Sequence, residues 1–97
     1  MLDLPPAQLA IVLRILAERI PKARAWAYGS RVVGRAGKFS DLDIAVEGST
    51  TMGDRTLAML REDLVDSDLP ISVDVLDLRR VTPSFRALIE SRRVALQ

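Results

Sequence analysis

The sequence predicts one small domain of the α/β or α+β class, residues 1–97, in which helices cover an apolar sheet. A length of 97 residues suits a single hydrophobic core. The content of 48% hydrophobic and 28% charged residues is typical of a globular chain. Helical and strand periodicities also alternate, in the order α-β-α-β-α-β-α, which is the pattern of layered helices and strands. This pattern does not decide which strands run parallel.

The first half of the chain contains two helices and one strand before a glycine-rich loop. Apolar residues recur at three- and four-residue spacing from Pro6 to residue 20, which predicts a helix that Pro21 ends. Residues 24–28 form a short strand candidate, and Gly29 closes it. Ser30 is a favourable N-cap for a short helix, and residues 34–40 are typical of a loop.

The second half contains two strands with strict alternation, each followed by a helix. Residues 41–46 alternate polar and apolar side chains, and an amphipathic helix follows at about residues 54–66. Residues 71–76 alternate in the same way. Thr82 and Pro83 then open a last helix that carries Phe85, Leu88 and Ile89, and residues 94–96 are a candidate edge strand.

The composition excludes several kinds of chemistry. The chain has no Cys and no His, which excludes disulfides, a thiolate nucleophile, imidazole catalysis and a Cys/His zinc site. Its net charge of +1 argues against a protein that coats nucleic acid. The sequence contains no apolar run of about 20 residues and no signal-peptide pattern, so we expect a cytoplasmic protein that does not enter the membrane.

Two aspartates in the second strand form the most informative feature. Asp41 and Asp43 are two residues apart, so both carboxylates project from the same face, while the apolar positions anchor the other face. Adjacent carboxylates repel each other unless a cation neutralises them, and hard cations prefer oxygen ligands. This pair predicts a Mg²⁺ site, although a solvated strand edge would give the same pattern.

The third strand offers two further carboxylates, and their parity separates them. Asp77 lies just past the strand end, on the same face as the apolar residues of the strand. Asp74 lies mid-strand on the opposite face. A carboxylate at such a position needs a partner, either a metal or an Arg side chain. If the two strands are neighbours, Asp41, Asp43 and Asp74 can converge on a pair of Mg²⁺ ions.

The turn after the first strand supplies groups that suit an anion. Gly29 permits close approach of a phosphate to the backbone, and Ser30 offers a hydroxyl and free N–H groups at a helix start. Arg31 could add positive charge, although it could equally lie in a solvated loop. An ordinary strand-to-helix turn is the alternative for Gly29 and Ser30.

Structural roles explain the aromatic and basic residues more simply than ligand binding does. Trp26 and Tyr28 favour the core over base stacking. Five arginines make the C-terminal quarter basic, which favours a solvated helix surface, with a partner interface as the alternative: Arg79, Arg80, Arg86, Arg92 and Arg93.

The motif Gly29-Ser30, ten residues, Asp41-x-Asp43 with a later strand Asp74 resembles the nucleotidyltransferase superfamily typified by DNA polymerase β. More closely, the chain resembles the minimal nucleotidyltransferases, the MntA-like group, over nearly its whole length. This resemblance implies a nucleotidyltransferase-type mixed sheet with helices packed on it. Many relatives carry Arg where this chain has Val33, which removes a possible phosphate contact and leaves the carboxylates unaffected.

The resemblance also implies roles for individual residues. Gly29 and Ser30 would bind the nucleotide phosphates, next to the charge that Arg31 could add. Asp41 and Asp43 would ligate Mg²⁺, and Asp74 would complete the metal site and assist the acceptor hydroxyl. The implied reaction transfers a nucleoside monophosphate, AMP from ATP, to a hydroxyl of a HEPN-type helical partner, as the antitoxin of a toxin–antitoxin pair. The alternative is a non-catalytic nucleotide-binding or antitoxin subunit that acts by binding its helical partner. Either way the chain could form a homo- or hetero-oligomer.

Overall fold

Four helices and four strands make up the computed structural model, which describes residues 2–97. The predicted order of elements is confirmed, including the short edge strand near the C-terminus. The elements are α1 (Pro6–Arg19), β1 (Arg24–Tyr28), α2 (Ser30–Val33), β2 (Leu42–Glu47), α3 (Asp54–Val65), β3 (Val73–Asp77), α4 (Pro83–Ser91) and β4 (Val94–Ala95).

Several element boundaries differ from the sequence prediction by one or two residues, and two of them have a clear physical reason. The third strand begins at Val73, because its pairing with β2 starts there, where Leu42 lies opposite Val73. The N-cap of α2 is Gly29, and Ser30 is the first helical residue. The carbonyl oxygen of Gly29 accepts from the backbone N–H groups of Val32 and Val33 at 2.9 and 3.1 Å, which is why the helix begins one residue earlier than predicted.

The strands form one mixed sheet in the order β3-β2-β1-β4. Strand β1 pairs antiparallel with both β2 and β4, whereas β2 and β3 run parallel. A parallel pair requires a long crossover connection, and α3 supplies it between β2 and β3. The crossover places the amino ends of β2 and β3 at the same edge of the sheet.

One face of the sheet, here the aliphatic face, is fully covered by α1 and α3. Its side chains are small or branched and pack against apolar residues of both helices, such as Leu16 and Leu60, which are inaccessible to solvent. This cluster holds most of the core. The sheet residues that contribute to it are Ala25, Ala27, Leu42, Ile44, Val46 and Val75.

The opposite face, here the mixed face, is covered only in part. Trp26 and Ala45 pack there beneath Ile89 of α4. The guanidinium of Arg93 lies 4.1 Å from the centre of the Trp26 ring, and that of Arg24 lies 5.3 Å from it, so the ring makes cation–π contacts as well as apolar ones. The prediction that Trp26 belongs to the core is confirmed.

In the part of the chain that the structure describes, no helix is both long enough and apolar enough to span a membrane.

Candidate nucleotidyl-transfer site

Three polar side chains form a row across the mixed face. Tyr28 of β1 lies opposite Asp43 of β2, and Asp43 lies opposite Asp74 of β3. Residues in register across a sheet project to the same side. Strands β2 and β3 are therefore neighbours, which the sequence analysis left open as a condition, and Asp74 projects to the same face as Asp43. Asp43 is half-buried and Asp74 is exposed, so the row opens to solvent on the side of β3.

The row carries concentrated negative charge. Burial raises the pKa of the Asp43 carboxyl above its ordinary value, and the charges of Asp74 and Asp41 raise it further. Burial together with Asp43 and Asp74 raises the pKa of Tyr28 to about 12, so its hydroxyl keeps its proton at neutral pH. These carboxylates are oxygen donors whose repulsion a hard cation would relieve, and their chemistry fits Mg²⁺.

Asp41 lies outside this row. It is exposed and precedes the first residue of β2, so the strand does not hold it as the sequence pattern predicted. Within residues 2–97, no three acidic side chains are grouped closely enough to hold one metal ion together. The complete cluster of Asp41, Asp43 and Asp74 is therefore not formed in this geometry. Mutual repulsion of three carboxylates favours side-chain conformers that keep them apart.

Gly29 lies directly against Asp43, in a backbone conformation that would strain any residue with a side chain. Its φ of 83° is a conformation that side chains rarely adopt. A Cβ at this position would lie 3.3 Å from Asp43 Cγ and would overlap with its Oδ2 oxygen. The turn at Gly29 therefore places the start of α2 directly after a residue that contacts Asp43.

The structure assigns Arg31 contacts different from those predicted. Its side chain is buried, with 4% of its surface exposed. The guanidinium donates hydrogen bonds to the carbonyl oxygens of Asp3 at 2.8 Å, of Lys38 at 3.3 Å and of Ser40 at 2.8 and 3.1 Å. These contacts occupy the donors that a phosphate would need. Arg31 instead ties the loop before Asp41 to the N-terminal segment.

Asp77 is a structural residue that the sequence prediction did not recognise. It is the last residue of β3 and lies opposite Val46, with its side chain buried on the aliphatic face of the sheet. Its carboxylate accepts from the backbone N–H groups of Met52 at 2.7 Å and Arg79 at 2.9 Å. The second contact, two residues along the chain, is a turn that Asp commonly forms, and this signal was available in the sequence.

Several arginines near the C-terminus pair with specific acidic groups. Arg86 Nη2 lies 2.8 Å from Glu47 Oε2, and this partner raises the pKa of Arg86 above its ordinary value. The pair holds α4 against the carboxyl end of β2. Arg80 Nη1 lies 3.2 Å from Asp54 Oδ1. These arginines therefore connect elements of the fold, in addition to forming the solvated helix surface that the sequence analysis predicted for them.

Comparison with known proteins identifies the class. Residues 12–96 match the family model described as "Polymerase beta, Nucleotidyltransferase", and the chain belongs to this family. It is 40% identical over 96 residues to the probable protein adenylyltransferase MntA of Haemophilus influenzae, across 99% of this chain and 84% of that protein. The family expectation from the sequence is confirmed.

Solved structures agree with this assignment. A toxin–antitoxin crystal structure with AMP-PNP is 27% identical, has a TM-score of 0.73 and covers 92% of this chain and 72% of that chain. A tri-AMPylated Shewanella oneidensis HEPN toxin in complex with an MNT antitoxin gives a TM-score of 0.66 at 24% identity, over 94% of this chain and 70% of that chain. The second likeness establishes the fold alone. The predicted nucleotidyltransferase-type mixed sheet is confirmed.

Proposed function

We propose that this nucleotidyltransferase moves AMP from ATP to a hydroxyl group of a HEPN-type helical partner and thereby acts as an antitoxin. The observation that carries the proposal is the register of Asp43 with Asp74 beside Gly29, on the open part of the mixed face. The similarity to MntA supports the adenylyl group as the transferred unit, and the toxin–antitoxin structures support the partner class.

The proposed ligand set is Asp41, Asp43 and Asp74. Side-chain rotation would bring Asp41, which precedes β2, towards the other two. Bound Mg²⁺ would neutralise phosphate charge and make the acceptor hydroxyl more acidic. Asp43, held by β2 between β1 and β3, is the fixed member of the set, because its half-buried side chain has the least freedom.

The remaining roles follow from position. The N–H groups after Gly29, with the Ser30 hydroxyl, bind the phosphates, because Gly29 allows the nucleotide to approach the backbone beside Asp43. The acceptor oxygen bonds to the α-phosphorus while the bond to the β-phosphate oxygen breaks, and pyrophosphate leaves. The hydroxyl proton passes to Asp74, whose exposed position leaves it open to an incoming acceptor.

The test uses the full chain, its genomic HEPN-type partner, Mg²⁺ and ATP labelled at the α-phosphate. We expect label on the partner with the wild-type chain and none with Asp43→Asn. Asp54→Asn is the matched control, because this exposed aspartate lies near the carboxyl ends of β2 and β3 and pairs with Arg80. Transfer that survives Asp43→Asn contradicts the proposed site. Neutralisation of the partner in cells by Asp43→Asn would favour the binding-only alternative.

Two further expectations belong to this proposal. Residues 1–97 form a single minimal nucleotidyltransferase domain, in line with the one sheet and its shared cores. The cytoplasmic location stays a prediction from the sequence.

A further inference from the structure

Phe39 lies in the loop between α2 and β2, and 75% of its surface is exposed. Single exposed apolar side chains are common at protein surfaces, so this exposure is informative only through what surrounds the ring. No step of the proposed transfer uses Phe39, and the ring belongs to neither apolar cluster of the core. Three features of its surroundings point to a ligand: a rigid turn, a position next to the carboxylate row, and nearby positive charge.

The turn that carries Phe39 is held by several hydrogen bonds. The N–H of Ser40 donates to the carbonyl oxygen of Gly37 at 3.2 Å, and the N–H of Gly37 donates to Ser40 Oγ at 2.8 Å. Arg31 also donates to the carbonyl oxygens on either side of Phe39, those of Lys38 at 3.3 Å and Ser40 at 2.8 Å. A backbone fixed in this way loses little conformational entropy when a ligand covers its side chain, which favours binding.

The turn lies next to the carboxylate row, at the amino end of β2. Phe39 precedes Asp41 by two residues, so their Cα atoms are at most about 7 Å apart. The N–H of Leu42 donates to the carbonyl oxygen of Ser72 at 3.0 Å, which holds the start of β2 beside the segment that leads to Asp74. A protein that brings a hydroxyl group to Asp74 therefore has part of its surface close to this turn.

Positive charge beside the ring indicates the chemistry of the ligand. The ammonium group of Lys38 lies 5.6 Å from the centre of the Phe39 ring, and Arg35 is exposed in the same loop. Within residues 2–97, neither cation forms an ion pair with an acidic side chain. An exposed ring beside unpaired cations favours a protein segment that offers an apolar side chain next to a carboxylate.

The proposed reaction requires a contact of this kind. Asp74 is exposed and can accept a proton from any hydroxyl group that reaches it, water included, so it does not select the acceptor by itself. The orientation of the acceptor towards the α-phosphate must come from contacts away from the reacting atoms. Aromatic side chains are enriched at protein–protein interfaces, and Phe39 is such a side chain on a rigid support.

We propose that the turn of residues 37–40 recognises the acceptor protein, with Phe39 against an apolar side chain of the partner and Lys38 paired with a partner carboxylate. This inference rests on the proposed function and adds the residues that select the acceptor. Phe39 is a specificity residue, because it touches the partner and not the reacting atoms. The competing occupants of the turn are the nucleotide and a second copy of this chain.

The experiment measures transfer of labelled AMP at increasing concentrations of the genomic HEPN-type partner. We expect Phe39→Ser to raise the KM for the partner roughly tenfold, while kcat and the KM for ATP change less than about twofold. Phe39→Tyr keeps the ring and should behave as the wild-type chain does. Lys38→Glu should also raise the KM for the partner, and more strongly at low ionic strength.

Val65→Ser is the matched control. Val65 is 81% exposed on α3, which packs against the aliphatic face of the sheet and not against the face of the carboxylates. This substitution removes a similar amount of exposed apolar surface and should leave the KM for the partner unchanged. An equal rise in KM for Val65→Ser and Phe39→Ser would contradict a specific role of the turn.

The outcomes separate this inference from the proposed function. An unchanged KM for the partner in Phe39→Ser overturns the inference and leaves the proposed function standing. A rise in the KM for ATP alone also overturns it and assigns Phe39 to the nucleotide. A wild-type dimer in sedimentation that Phe39→Ser dissociates, with the KM for the partner unchanged, identifies a second copy as the occupant instead. A wild-type chain that transfers no label contradicts the proposed function itself.

The melting temperature separates recognition from folding. Phe39 is exposed, so Phe39→Ser should melt at the same temperature as the wild-type chain. A large drop in the melting temperature would identify a structural role for the ring and overturn the inference.

Discussion

The two ends of β3 each carry an aspartate, and the two have opposite surroundings. Asp77, at the carboxyl end, is 3% exposed and accepts hydrogen bonds from two backbone N–H groups. Asp74, near the amino end, is exposed and faces the carboxylate of Asp43. A buried carboxylate that receives backbone donors stabilises the fold, whereas a carboxylate placed against another is costly and available for chemistry. Substitutions at the two ends should therefore affect different measurements.

The largest expected effect is on activity, from Asp43→Asn. Removal of this carboxylate should lower AMP transfer roughly 10³-fold, since electrostatic stabilisation of the transition state has that magnitude. The melting temperature should stay the same or rise, because the raised pKa of Asp43 means that its charge opposes folding at neutral pH. A labelled-ATP assay and calorimetry check both. A large drop in melting temperature would mean that Asp43 is structural.

Asp77→Ala should show the opposite behaviour. It leaves the buried N–H groups of Met52 and Arg79 without their acceptor, at a cost of about 3 kcal/mol in the free energy of unfolding. Activity per folded molecule should change little. Urea unfolding measures the first quantity, and transfer assays at low temperature measure the second. Equal loss of activity in Asp77→Ala and Asp43→Asn would contradict the division between the two ends.

Substitution of Arg31 should lower both stability and activity by intermediate amounts, because Arg31 holds the loop before Asp41 through hydrogen bonds to its carbonyl oxygens. Arg31→Lys keeps the charge but cannot reach the carbonyl oxygens of Asp3, Lys38 and Ser40 together, so it should lose about 2 kcal/mol of stability. The Mg²⁺ concentration for half-maximal transfer should rise roughly tenfold, as for other residues that support metal ligands. An unchanged Mg²⁺ dependence, with only the stability lowered, would show that Arg31 does not position the site.

The smallest expected effect on stability concerns an exposed ion pair between α1 and α3. Arg19 donates to Asp63 and lowers the pKa of that carboxyl below its ordinary value. The stability that this pair contributes is therefore present above the unfolded-state pKa and is lost as the pH falls through the lower folded-state value. Urea midpoints of the wild-type chain and Asp63→Asn should differ at neutral pH and converge in acid. A difference that grows in acid would contradict this direction.

Local pattern predicted much of this fold. Strand β1 was predicted from a short segment closed by Gly29, and the parity that separates Asp74 from Asp77 was predicted from alternation along β3; both agree with the structure. The start of β3 depends on its register with β2, which residues 71 and 72 do not encode locally. Arg31 was assigned to phosphate because the sequence does not show which carbonyl oxygens will surround a side chain once the N-terminal segment folds over it.

The residues of the candidate site were selected from the sequence, whereas their arrangement depends on tertiary structure. Asp43, Asp74 and Gly29 come together because β1, β2 and β3 are adjacent, which the sequence pattern left open. The displacement of Asp41 from the row depends on where β2 begins, a tertiary property. Leu88 fits the apolar stripe of a core helix. It is nevertheless exposed, because α4 contacts the sheet mainly through Ile89.

The position of Trp26 makes α4 observable in solution. The chain contains a single tryptophan, and its ring is buried beneath α4 with the Arg93 guanidinium over it. Any event that lifts α4 from the sheet would admit water to this ring and shift its fluorescence emission to longer wavelength. Binding that displaces α4 can therefore be followed in the unlabelled wild-type protein through the fluorescence of this one tryptophan.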